Sequence, residues 1–183
     1  MERIRGLSPS FKARTAGVLY LLSVLTAVFA EFVAHGRLGL AAVFVPVVGY
    51  VAVTLILLSI FMPVNKYISW LATACGLVGL GFEALQWRPG QVNPGMIFHA
   101  FYCVLIGYLM IRSAFLPRIL GALMALAGLL WLTYLSPQLV HKLSPYLTAV
   151  GILAEGLPML WLLLMGVHVE HWSGPARIAE EWQ

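Results

Sequence analysis

Residues 39–62 read GLAAVFVPVVGYVAVTLILLSIFM, an uninterrupted apolar run with no charged side chain. A bilayer core about 30 Å thick needs roughly 20 such residues in a helix, so this run is long enough to cross it. Five further apolar runs lie around it, at 16–35, 67–87, 94–113, 117–135 and 147–169. The whole chain of 183 residues is 61% hydrophobic and only 10% charged, whereas a soluble domain carries about a quarter charged residues. These figures exclude an ordinary cytosolic fold, a disordered chain and a fibrous repeat. They predict an all-α, polytopic membrane bundle of six transmembrane helices, forming one domain over 1–183.

Charge placement then orients the bundle. The formal net charge is +4, but the basic residues sit between apolar runs rather than on one soluble face, so no nucleic-acid partner is implied. With the N-terminus inside, the inner segments hold Arg3, Arg5, Lys12, Arg14, Lys66, Arg112, Arg118 and Arg177, and the outer ones only Arg37, Arg88 and Lys142. This bias predicts both termini in the cytoplasm and a multi-pass protein of the cell membrane. The first run has small residues around Ala27 to Ala30, like a signal peptide, but it exceeds a typical signal core in length, so a retained helix is expected. Tyr67, Trp87, Trp131, Tyr134 and Trp172 fall near run ends, as interfacial anchors should. Ser136 to Pro145 reads as the longest connection, an outer loop. Pro46 and Pro158 lie inside runs and predict kinks. Cys75 and Cys103 also lie inside runs and give no disulfide framework.

The chain has no Asp and seven Glu. Glu2, Glu170, Glu180 and Glu181 belong to the ends. Glu31, Glu83 and Glu155 lie within apolar runs, and His99 joins them in the fourth. Ionisable groups in lipid are costly, so they face protein or water and mark functional sites by default. At 1.5 Å per residue, all four sit within roughly 6–12 Å of the outer hydrocarbon boundary. Helical spacing groups each with neighbours on one face: Tyr20, Ser23, Ala27 and Glu31; Gly76, Gly79, Glu83 and Gln86; His99, Cys103 and Gly107; Thr148, Gly151, Glu155 and Pro158. Small residues mark packed helix interfaces in membranes, so the four polar side chains are expected to share one cavity.

Carboxyls brought together in low dielectric cannot all remain ionised. A protonated Glu beside an ionised one, with a histidine near, is a workable acid–base set. Glu155 would be the acid, Glu83 or Glu31 would stabilise developing positive charge, and His99 would relay protons. Tyr50, Gln86, Trp87, Tyr102, Trp131 and Trp161 are the candidates to line the substrate pocket. A metal reading starts from Glu31 and His35 at i, i+4, with Glu83, His99 and Glu155. The Glu-x-x-His spacing of carboxylate-bridged bundles is missing, so no metal and no other cofactor is expected. His168, Glu170 and His171 read as a solvated cluster at the inner end of the last run.

The segment RSAFLPRILGALMALAGLLWL, Arg112 to Leu132, resembles the bacterial multipass family known as domain of unknown function 4386. ARTAGVLYLL, FAEFVAHGRL, FMPVNK, FHAFYCVLIGYL and EGLPMLWLLLMGV look like the same family. The resemblance implies an all-helical bundle and names no reaction. The function expected is a membrane-embedded enzyme that uses Glu and His acid–base chemistry on a lipophilic small molecule, by isomerisation, cyclisation or epoxide opening. The alternative is a non-catalytic binding or transport module, or an accessory subunit of a membrane complex. The partners implied are the lipid bilayer, the lipophilic ligand and, as an option this composition leaves open, a second copy of the chain.

Overall fold

A computed structural model describes residues 8–32, 37–87, 89 and 92–167, without the side chains of 28, 30–32, 37–43, 144 and 145. His35, Arg88, His168, Glu170, His171, Trp172 and Arg177 lie outside that set, as does the Glu31 side chain. The described residues form six α-helices and one short 3-10 turn, with no strand among them. They are α1 (Pro9–Phe32), α2 (Arg37–Phe61), α3 (Lys66–Leu85), α4 (Pro94–Arg112), α5 (Arg118–Trp131), the turn Leu132–Leu135, and α6 (Pro137–Leu164).

Local chemistry sets the boundaries. The Asn65 side chain accepts from the Ile68 N–H and starts α3, and Asn93 does the same for Met96 at the start of α4, with Pro94 in the first turn. Such caps satisfy N–H groups that the helix leaves unpaired. Helix α3 ends where Gln86 turns left-handed, at φ 51°, and donates its N–H to the Glu83 and Phe82 carbonyls. Pro117 stands just before α5. Both α2 and α6 run continuously through their prolines, Pro46 and Pro158.

One boundary departs from expectation. Ser136 to Pro145 is not a loop, because α6 begins at Pro137. Pro137 occupies the first helical turn, where its missing N–H costs nothing. Gln138, His141 and Lys142 are exposed, so this opening part of α6 carries polar side chains without belonging to a loop.

Each helix packs on the next in sequence, and α6 returns to pack on α1, so the six close into a ring. The Ser10 hydroxyl donates to the Val167 carbonyl at 2.9 Å, which brings the start of α1 to the end of α6. Helix backbones approach closely where glycine permits it. A Cβ on Gly121 would lie 2.6 Å from the Gly107 carbonyl oxygen, and one on Gly128 would lie 2.6 Å from that of Ala100, both across the α4–α5 seam. Gly17 faces Leu163 and Met159 of α6 in the same way, and Gly79 faces Gly95 and His99 of α4.

Large apolar side chains cover the outside, among them Leu22, Val48, Trp70, Leu77, Phe101, Leu129 and Leu153. Among the described residues, five stretches are long and apolar enough to cross a membrane: Phe44–Phe61, Lys66–Leu85, Pro94–Arg112, Arg118–Leu135 and Tyr146–Leu164. An outward apolar surface on an all-helical bundle is what a bilayer requires, since every backbone polar group must be satisfied within its own segment. This is a multipass membrane protein.

Candidate functional site

Polar side chains from several helices converge inside the ring. Glu155, on α6, is buried, and it falls nine residues from either end of the apolar stretch Tyr146–Leu164 (155 − 146 and 164 − 155). His99 Nε2, from α4, lies 3.1 Å from Glu155 Oε2. The Trp131 indole N–H, from α5, donates to the same oxygen at 3.3 Å. Cys103 Sγ, one turn after His99 on α4, is 3.5 Å from His99 Nε2. A carboxyl oxygen that accepts the Trp131 N–H and lies against an imidazole nitrogen is well partnered, and in low dielectric this offsets part of the cost of burying the group.

Aromatic rings complete the surroundings. Tyr50 of α2 meets the His99 ring edge-on at 6.1 Å, Tyr102 tilts against it at 5.8 Å, and Trp131 at 6.5 Å. Tyr20 of α1 packs edge-on against Tyr50 at 5.5 Å. Gly151, one turn before Glu155, makes room for the Trp131 ring: a Cβ there would lie 2.7 Å from it. Gly76 does the same for Tyr102 on the α3 side. The His99 side chain keeps 19% of its surface open against 4% for Glu155, so the imidazole is the reachable member of the pair.

The expected residues therefore divide. His99, Glu155, Trp131, Tyr50 and Tyr102 come together. Glu83 lies one turn away, against the start of α4: a Cβ on Gly95 would come within 2.8 Å of Glu83 Cγ. The Glu83 side chain lies against the first turn of α4, at the positive end of that helix's dipole, which gives it a task in holding α3 to α4. Gln86 and Trp87 are exposed at the end of α3. The Gln86 amide donates to the Glu83 carbonyl oxygen, and Trp87 stacks on Phe82 at 5.3 Å. Trp161 is half-buried, and its indole N–H is enclosed with no hydrogen-bond partner among the described residues. The Glu31 side chain is outside the described set.

Two roles read from the sequence change. Trp131 is buried and holds Glu155 rather than anchoring at the interface. Ala27, expected to face inward with Tyr20 and Ser23, is exposed; α1 turns that position outward while Tyr20 and Ser23 stay buried. Cys103 as a group touching His99 was visible only as an i, i+4 spacing on α4. The thiol, imidazole and carboxylate offer three ligand atoms that all lie within 4.8 Å of one another.

Neither the curated proteins nor the solved structures include a match to the chain. A family model does match, over residues 82–166, which hold the end of α3, all of α4, α5 and α6, and with them Glu83, His99, Cys103, Trp131 and Glu155. Through that segment, just under half of its length, the chain is similar to the family described as Domain of unknown function (DUF4386).

Proposed function

We propose that the protein is a membrane-embedded enzyme whose His99–Glu155 pair performs acid–base chemistry on a lipophilic small molecule. The observation that carries this reading is the 3.1 Å contact between His99 Nε2 and Glu155 Oε2 inside an apolar bundle. A proton can pass between these two atoms without crossing water, and ionisable groups at such a depth are rarely kept without a task. Trp131 fixes the carboxylate, while Tyr50 and Tyr102 present ring surfaces that can stabilise a passing positive charge. The pair gives a proton to one substrate atom and takes one from another, so isomerisation or cyclisation needs no co-reactant. Epoxide opening needs only water or an internal nucleophile.

The orientation belongs to the same proposal. Helix α1 serves as a sixth crossing beside the five apolar stretches. Lys12, Arg14, Lys66, Arg112 and Arg118 sit at the end of the ring where α1 starts and α6 finishes, which supports a cytoplasmic location for that end in a cell membrane.

The test uses the full chain in lipid nanodiscs, incubated with lipid extracts of membranes and followed by untargeted mass spectrometry. One precursor should fall as an isobaric product, or one heavier by a water, rises. Glu155→Gln keeps shape and hydrogen bonding, so it should stay folded and lose about 100-fold or more of that conversion. If no component of any extract changes at stoichiometric protein, or if Glu155→Gln converts at the wild-type rate, the enzyme reading falls to the binding or scaffold alternative.

A further inference from the structure

The geometry points to a zinc-binding centre formed by His99, Cys103 and Glu155. The three ligand atoms differ in kind, an imidazole nitrogen, a thiol sulfur and a carboxylate oxygen, and this mixture is the donor set of zinc rather than of magnesium or calcium, which take oxygen. Zinc bonds of about 2.0–2.3 Å in a tetrahedron put ligand atoms roughly 3.3–3.7 Å apart. Here His99 Nε2 lies 3.1 Å from Glu155 Oε2 and 3.5 Å from Cys103 Sγ, and all three atoms fall within 4.8 Å. Little side-chain movement separates this arrangement from a coordination shell.

The backbone supports the set. His99 and Cys103 stand four residues apart on α4, so one rigid helix face presents two ligands, and α6 brings the third across the ring. The Trp131 N–H on Glu155 is the outer contact that orients a ligating carboxylate. Cys103 and Glu155 are buried, while His99 is the partly open member. Three protein ligands leave one position of a tetrahedron for a substrate oxygen or water, the pattern of zinc sites that act rather than merely brace.

This goes beyond the acid–base reading and does not depend on it. With zinc bound, Glu155 serves as a ligand, and the ion polarises what binds at the fourth position. It also departs from the metal set weighed from the sequence, since Cys103 takes part and Glu83 does not.

The test is metal uptake by the full-length protein, purified in detergent through a tag that contains no histidine, exposed to zinc sulfate and dialysed against metal-free buffer. Elemental analysis should find about one zinc per chain in the wild type. Cys103→Ser and Glu155→Gln should each bind at least tenfold more weakly, since losing even an outer-contact residue costs that much. Cobalt loaded in place of zinc should give a thiolate-to-metal charge-transfer band in the wild type and none in Cys103→Ser. Wild type that retains no zinc, zinc retained equally by Cys103→Ser, or a cobalt spectrum without the thiolate band would each overturn the assignment. The cobalt band is read on the unmutated chain, so a folding defect in a variant cannot imitate failure. Lipid conversion that persists without metal would leave the acid–base reading standing alone.

Discussion

Helix α4 has two working faces, and they are built on opposite principles. Toward α5 it offers Ala100, Val104 and Gly107, which meet Gly128, Gly121 and Ala125 almost backbone to backbone. Toward the interior of the ring it offers His99, Tyr102 and Cys103, which meet α2, α5 and α6 through rings and polar atoms. In lipid there is no hydrophobic drive to press helices together, so close contact between small residues supplies much of the association. The first face therefore holds the bundle. The second places polar groups where apolar packing would serve as well, and on the proposed reading their role is chemistry rather than stability.

The contrast breaks first on the packed seam. Gly121→Leu adds a side chain where even a Cβ lies 2.6 Å from the Gly107 carbonyl oxygen and 2.7 Å from Ile111 Cγ1. It should cost about 3 kcal/mol or more, at or above the upper range for overpacking, seen as a large drop in thermal unfolding temperature in detergent. Gly79→Leu, against the Gly95 and His99 backbone, should act in the same direction. Stability unchanged in both would mean that the seams are not what holds the ring.

Trp131→Phe tests the other face. It removes the N–H donated to Glu155 together with part of the indole that packs on Gly151. A membrane hydrogen bond averages about 0.6 kcal/mol, and the smaller ring adds a packing loss, so stability should fall by about 1–2 kcal/mol. A loss as large as that of Gly121→Leu would make the polar centre a structural keystone and reverse the distinction between the two faces.

The smallest effect belongs outside the ring. Gly81 has open space around a would-be Cβ and is exposed on α3. Gly81→Ala should change stability by less than about 1 kcal/mol, in the stabilising direction that helix propensity favours. A marked loss would show that this surface packs against another protein rather than lipid.

Much of this was legible before any coordinates. The six apolar runs correspond to the six helices, because twenty apolar residues in lipid have few other ways to satisfy their backbone. Depth and helical spacing grouped His99 and Glu155 with Glu31 and Glu83, without singling out the contact between the first two. What depended on helix rotation was not legible. Glu83 shares the depth of His99, yet it meets Gly95, and a turn of a few tens of degrees separates the two outcomes. Cys103 shares a helix face with His99, but spacing could not say that α6 would bring a carboxylate to both. The early start of α6 was hidden because Gln138, His141 and Lys142 read as loop residues when only composition is weighed.

The hydrogen bond between Ser10 and Val167 has a consequence for connectivity. Because the last helix returns to the first, the order of the six around the ring does not fix where the chain must be opened. Joining the end of α6 to the start of α1 with a short linker and opening the chain at the turn 62–65 gives a circular permutant that begins with α3 and finishes with α2. Chain ends that lie close together are what make such rearrangement tolerable. The new ends emerge on the same side as the old ones, since α2 finishes where α1 starts, so the permutant inherits the original orientation. His99, Cys103, Trp131 and Glu155 would then stand in its first two-thirds, still carried by α4, α5 and α6 in unbroken succession.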